Sequence, residues 1–156
     1  MAIRTIKGNL LKLADEGNFD LIVHGCNCFC CMGGGIALQI KQMWPEVFQA
    51  DCRTKSGDRS KMGTYSQCLV GTQGEDLVVI NAYTQYDHNS SILQVDYDAI
   101  RNVLKTIVDN TCDSGTRIGL PLIGCGLAGG DWGVVKNIIE EELIGFDVTI
   151  VEYVAG

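Results

Sequence analysis

Three observations predict an α/β fold: three layers, with helices on both faces of a mixed, mostly parallel central sheet. Short apolar runs of strand length alternate with amphipathic stretches of helical spacing along most of the chain. One run, Leu21-Ile22-Val23, is continuously apolar, as a strand covered on both faces must be. Two glycine-rich segments each follow a strand and precede a helix, the place where open α/β sheets keep their ligand loops.

The elements follow in order. Ile3 to Lys7 reads as a first strand and Leu10 to Ala14 as a short helical turn. Asp20 to His24 is the buried strand, ending at His24, and residues 25–34 form a loop. Ile36 to Met43 reads as a helix, and Pro45 suits the first turn of another, which carries Val47 and Phe48. After a polar loop at 57–63, Tyr65 to Val70 and Leu77 to Tyr83 are strands joined by Gln73-Gly74-Glu75-Asp76. That short joint predicts an antiparallel pair, which makes the sheet mixed. Tyr97, Ile100, Val103, Leu104, Ile107 and Val108 share one helical face. Arg117 to Pro121 is a short strand, Asp131 can cap a helix facing inward through Val134, Val135, Ile138 and Ile139, and Phe146 to Tyr153 is the last strand.

The 156 residues fit one domain over 1–156, with no Pro-rich linker, repeat or low-complexity tract to divide it. A net charge of -7 argues against non-specific nucleic-acid binding, which needs clustered Lys and Arg. It leaves room for a small anion, because backbone amides hold phosphates without cationic side chains. No apolar run approaches the ~20 residues of a membrane helix, and Met1 to Asn9 lacks the apolar stretch of a secretion signal. A cytoplasmic location is therefore expected, with the 8 cysteines as free thiols rather than a disulfide framework.

Two constellations carry the chemistry. The first runs His24-Gly25-Cys26-Asn27-Cys28-Phe29-Cys30-Cys31-Met32-Gly33-Gly34-Gly35-Ile36-Ala37. Three glycines before a helix let backbone amides approach a ligand closely, and Asn27 can donate to and accept from sugar hydroxyls. The second runs Leu120-Pro121-Leu122-Ile123-Gly124-Cys125-Gly126-Leu127-Ala128-Gly129-Gly130-Asp131-Trp132, where successive amides can form an anion-binding nest. Two such loops at one sheet edge suggest a pyrophosphate clamped between them. Neither matches the G-x-x-x-x-G-K-[ST] phosphate loop or the G-x-G-x-x-G dinucleotide fingerprint. Cys26, Cys28, Cys30 and Cys31 beside His24 raise a zinc site, but C-x-C-x-C-C lacks the C-x₂-C pairs of structural zinc, so no metal and no cofactor is expected.

Taken together, the two loops, their order and the flanking strands resemble those of macrodomains, from Lys7-Gly8-Asn9-Leu10 through the last strand. His-x-Cys-Asn-Cys followed by Gly-Gly-Gly-Ile-Ala is similar to the small stand-alone ADP-ribose-1″-phosphate phosphatases. The resemblance implies ADP-ribose or ADP-ribose-1″-phosphate as ligand, bound by a monomer. Asn27, Gly33, Gly34, Gly35 and Ile36 would hold the distal ribose. Ile123, Gly124, Cys125, Gly126, Leu127 and Ala128 would wrap the diphosphate. Asn9 and Leu10 would lie near the adenine, with Asn9 able to accept a hydrogen bond where many macrodomains use an Asp.

His24, read as sitting at the strand end, is the expected base, nucleophile or acid at the 1″-phosphate, with Asp131 as its acidic partner. The alternatives are a hydrogen-bonded structural His24 and an Asp131 that only caps its helix. His88 is expected to be solvated in a polar loop. The related branch that removes ADP-ribose from acidic side chains uses a lysine after its fourth strand; Asn81-Ala82-Tyr83-Thr84-Gln85 has none. The implied reaction is hydrolysis of ADP-ribose-1″-phosphate to ADP-ribose and phosphate. The rivals are a non-catalytic ADP-ribose reader and a hydrolase of other adducts, on protein, nucleic acid or acetate.

Overall fold

The computed structural model describes residues 3–88, 95–126 and 128–154. In chain order the elements are β1 (Ile3–Gly8), α1 (Leu10–Asp15), β2 (Leu21–Cys26), α2 (Gly35–Met43), α3 (Pro45–Cys52), β3 (Tyr65–Val70), β4 (Leu77–Tyr83), α4 (Tyr97–Thr111), β5 (Arg117–Leu120), α5 (Trp132–Glu142) and β6 (Asp147–Tyr153). A single 3₁₀ turn, Arg59–Lys61, is added between α3 and β3.

The six strands form one sheet in the order β1-β6-β5-β2-β4-β3. Every neighbouring pair is parallel except β3 with β4, whose antiparallel ladder sets Tyr65 opposite Ala82 and Val70 opposite Leu77. The short 71–76 connection forces that pairing, while the helical crossovers force the parallel ones. The sheet is thus mixed and mostly parallel, as the alternating pattern predicts.

Alternation along β2 shows how the layers form. Leu21 and Val23 pack with α4 and α5 through Ile100, Val103, Leu104, Ile107, Val135 and Ile139. Ile22 faces the other way, onto α1, α2 and α3 through Leu11, Ala14, Ile40 and Val47. Two cores result, one on each side of the sheet, and both faces of β2 are dry. Helix ends are capped by side chains: Asn9 Oδ1 accepts from the Leu11 and Lys12 amides, and Asp96 Oδ1 from Ala99 N. Asp131 caps α5 in the same way, accepting from Gly133 N at 2.8 Å. Among the described residues no helix is long and apolar enough to cross a membrane.

Element boundaries shift by a residue or two from the sequence reading, and one of these shifts has consequences for the site. β2 continues two residues past His24, to Cys26. His24 is therefore inside the strand, in register with Asn81 of β4, and not at its end.

Candidate functional site

A cleft of about 750 Å³ opens at the carboxyl ends of the parallel strands, within the size range of small-molecule sites. Both glycine loops line it. So do Asn9, Leu10 and Leu11 at one end, beside Val151, Glu152 and Tyr153 from the end of β6. Gly25, Asn27 and Gly33–Gly35 line the other end, with Gln85 and His88 from the turn after β4. Ile36, Ala37, Ile123, Gly124, Cys125, Gly126 and Ala128 complete the walls between. Leu127 lies outside the described residues.

The first loop leaves backbone amides unpaired at the start of α2. Gly34 is the N-cap of α2 with no side chain to cap it, and the first intrahelical bond runs from Leu38 N to Gly34 O. The amides of Gly35, Ile36 and Ala37 therefore have no acceptor inside the helix, and the helix dipole adds partial positive charge there. Gly35 holds a left-handed φ of 56°, and a Cβ added there would stand in open space, so the backbone faces the cleft bare. Asn27 knits the loop from within: its Nδ2 donates to Cys31 O at 2.8 Å and its Oδ1 accepts Phe29 N at 2.9 Å. Its polar atoms thus brace the loop that borders the ligand space.

The second loop closes on itself through Gly130 N to Gly124 O, Gly129 N to Gly126 O and Cys125 N to Leu122 O. Gly124 has φ 76°, and a Cβ on Gly130 would lie 2.5 Å from Gly124 O, so these two positions admit no side chain. Among the described residues the amides of Gly124 and Gly126 donate to no backbone carbonyl. Among the described residues no lysine or arginine lines the cleft. Oriented backbone dipoles, not cationic side chains, are what it offers a phosphate.

The two residues expected to do chemistry lie elsewhere. His24 is fully buried, and its side chain does not line the cleft. Its Nε2 lies 2.6 Å from Asn81 Oδ1. Asn81 Nδ2 donates to Val47 O and Ser66 Oγ, so Oδ1 is the acceptor and His24 donates from Nε2. Burial pulls the His24 pKa from 6.5 down to about 4, against the opposing Asn81 hydrogen bond, which leaves the imidazole neutral. The physical reason is the strand boundary: at position 24 the alternation aims the side chain at α3, beneath the sheet. Asp131 is exposed, outside the cleft lining, and occupied as the α5 cap. Asn9 does border the cleft, but its Oδ1 already accepts two amides, so only Nδ2 remains for a base. His88 is exposed in the polar turn after β4, as the sequence reading has it, and there it lines the cleft.

A buried polar cluster supports the Cys28–Cys31 segment from below. The Lys61 ammonium donates to Cys28 O at 3.0 Å and lies 4.5 Å from the Tyr83 ring centroid. Tyr83 Oη donates to Asp51 Oδ1 at 2.7 Å, and burial pushes the Asp51 carboxyl above its ordinary range. Cys30 takes φ 54°, the left-handed region, which turns its thiol onto Asp51 O at 3.3 Å. Cys26 and Cys28 are buried, and desolvation raises both thiols well into the protonated regime. Among the described residues no three His, Cys, Asp or Glu side chains converge to hold a metal ion. Lys61, Asp51 and Tyr83 carry no sequence signal of this role, because their meeting depends on three separate elements.

Fold and cleft define a three-layer α/β/α architecture with two glycine loops lining one cleft at the sheet edge. The Macro domain family matches residues 23–139, three quarters of the chain, and the protein belongs to that family. It is 31% identical to an uncharacterised 17.5 kDa protein of Enterobacteria phage T4, over 98% of this chain and 97% of that one. It is 25% identical to an ADP-ribose 1″-phosphate phosphatase of Scheffersomyces stipitis, over 96% of this chain and 99% of that protein. The macrodomain of Thermus aquaticus DarG superimposes with a TM-score of 0.74 at 26% identity, covering 99% of both chains.

Proposed function

We propose that this macrodomain binds ADP-ribose and hydrolyses ADP-ribose-1″-phosphate to ADP-ribose and phosphate. The observation that carries the reading is one cleft joining two glycine loops with unpaired amides and, among the described residues, no lining lysine or arginine. A diphosphate fits between them, taking hydrogen bonds from the α2 N-terminus on one side and the Gly124–Gly126 turn on the other. The adenine lies at the Asn9 end, where Leu10, Val151 and Tyr153 offer apolar and aromatic surface. The distal ribose lies by Asn27 and Gly33–Gly35, and its C1″ substituent points toward Gln85 and His88. The phosphatase similarity, spread over nearly the full length of both chains, supports the choice of substituent.

The test has two parts. Calorimetry should show ADP-ribose binding with ATP and NAD much weaker; equal affinity for ATP would remove the ADP-ribose assignment. Incubation with ADP-ribose-1″-phosphate should release inorganic phosphate. A protein that binds ADP-ribose and releases none is a reader, and the hydrolytic half of the proposal fails.

A further inference from the structure

We infer that His88 is the residue that meets the substituent on C1″ of the distal ribose and moves the proton during its hydrolysis; this rests on reading the cleft as an ADP-ribose-1″-phosphate site. Among the described residues the titratable side chains lining the cleft are Cys31, His88, Cys125, Glu152 and Tyr153. Glu152 and Tyr153 are paired in register with Lys7 and Gly8, which places them beside Asn9, at the base end. Cys125 turns its thiol onto Ile123 O at 3.5 Å, in the middle of the cleft. Cys31 and His88 remain for the far end, and a thiol is a weak donor and acceptor where an imidazole does both well.

The turn that carries His88 is tied to the first glycine loop. Thr84 N donates to Cys26 O at 3.2 Å, Cys28 N to Tyr86 O at 2.9 Å, and the Cys28 thiol to Gln85 O at 3.5 Å. The imidazole itself is held from two sides. Asp87 Oδ1 accepts the His88 backbone amide and lies 3.7 Å from His88 Nε2, while Gln85 Nε2 donates to Asp87 O at 2.7 Å. On the other side the His88 ring stands edge-on to Phe29, centroids 6.3 Å apart, and Phe29 packs edge-on to Tyr86 at 4.9 Å. Tyr86 is fixed in turn by Arg59 stacked 3.7 Å over its ring and by its hydroxyl donating to Gly57 O at 2.8 Å. Braced in this way, the His88 side chain is still 60% exposed, open to a ligand in the cleft.

The chemistry balances with water alone. The neutral imidazole takes a proton from a water whose oxygen bonds to phosphorus. The bond between phosphorus and O1″ breaks and leaves its electron pair on O1″. The imidazolium returns the proton to O1″. One water is consumed, ADP-ribose and phosphate are formed, and His88 is neutral again.

The experiment compares the parent protein with His88→Ala and His88→Gln. Both variants should fold, since the replaced side chain is mostly solvent-facing. Each should lower phosphate release at saturating substrate by roughly 10²–10⁴-fold, with the ADP-ribose Kd unchanged. Free imidazole in the assay should restore part of the rate to His88→Ala and leave the parent rate as it was. An active parent with an equally active His88→Ala overturns this inference alone. A parent that binds ADP-ribose but releases no phosphate overturns the hydrolytic reading and this inference together.

Discussion

Replacing His24 by glutamine should change how stability depends on pH and leave the cleft alone. The imidazole is fully buried and titrates near 4 in the folded chain, against 6.5 when unfolded. Protonation is therefore easier in the unfolded state, so between these values the unfolded chain binds the extra proton and acid favours unfolding. The stabilisation is complete above pH 6.5, falls as the pH drops toward 4, and has no further slope below that. The separation of the two values corresponds to about 3 kcal/mol, a large part of the stability of a domain this size. Glutamine cannot take the proton. Urea unfolding of parent and His24→Gln at pH 7, 6, 5 and 4 should show the parent losing about 3 kcal/mol more than the variant across that range. At pH 7 the variant is the less stable protein, by about 1–3 kcal/mol for the lost hydrogen bond to Asn81. Parallel pH profiles would refute the burial argument. A large loss of ADP-ribose affinity in a folded His24→Gln would refute the placement of this residue outside the cleft.

Other expectations are quickly tested. Gly126→Trp should keep its melting temperature, because a Cβ there meets open space, and should lose ADP-ribose binding by calorimetry because the indole fills the second loop's side of the cleft. Gly130→Ala should be less stable by about 1–3 kcal/mol in denaturant titration and bind more weakly, since its Cβ would press on Gly124 O. Asp131→Ala should cost about 1 kcal/mol as a lost helix cap, with phosphate release at the parent rate; a hundredfold slower variant would return Asp131 to the chemistry.

Much of this molecule is determined by local sequence. Hydrophobic periodicity and length are properties of neighbouring residues, so the strands, the helices and their alternation are legible, down to Pro45 at the start of α3 and Asp131 at the cap of α5. The short connection between Val70 and Leu77 dictates an antiparallel pair, and the helical crossovers dictate the rest. The two glycine loops are legible for the same reason: a triple glycine before a helix has few structural meanings, and both loops do line one cleft. The direction of individual side chains is another matter. His24 stands beside a glycine loop in the sequence, and one decision about where β2 ends separates a cleft residue from a buried one. The strand runs on to Cys26 because Ala82 and Tyr83 of β4 pair with Gly25 and Cys26, and a ladder between residues 57 positions apart leaves no trace in the local pattern. His88 is the converse. Its own segment is polar and solvent-facing, and the packing of Phe29, Arg59 and Gly57, from two distant stretches, around Tyr86 holds its ring at the cleft. Local sequence determines which elements form and which backbone is bare; the tertiary contacts decide which of two histidines lines the cleft.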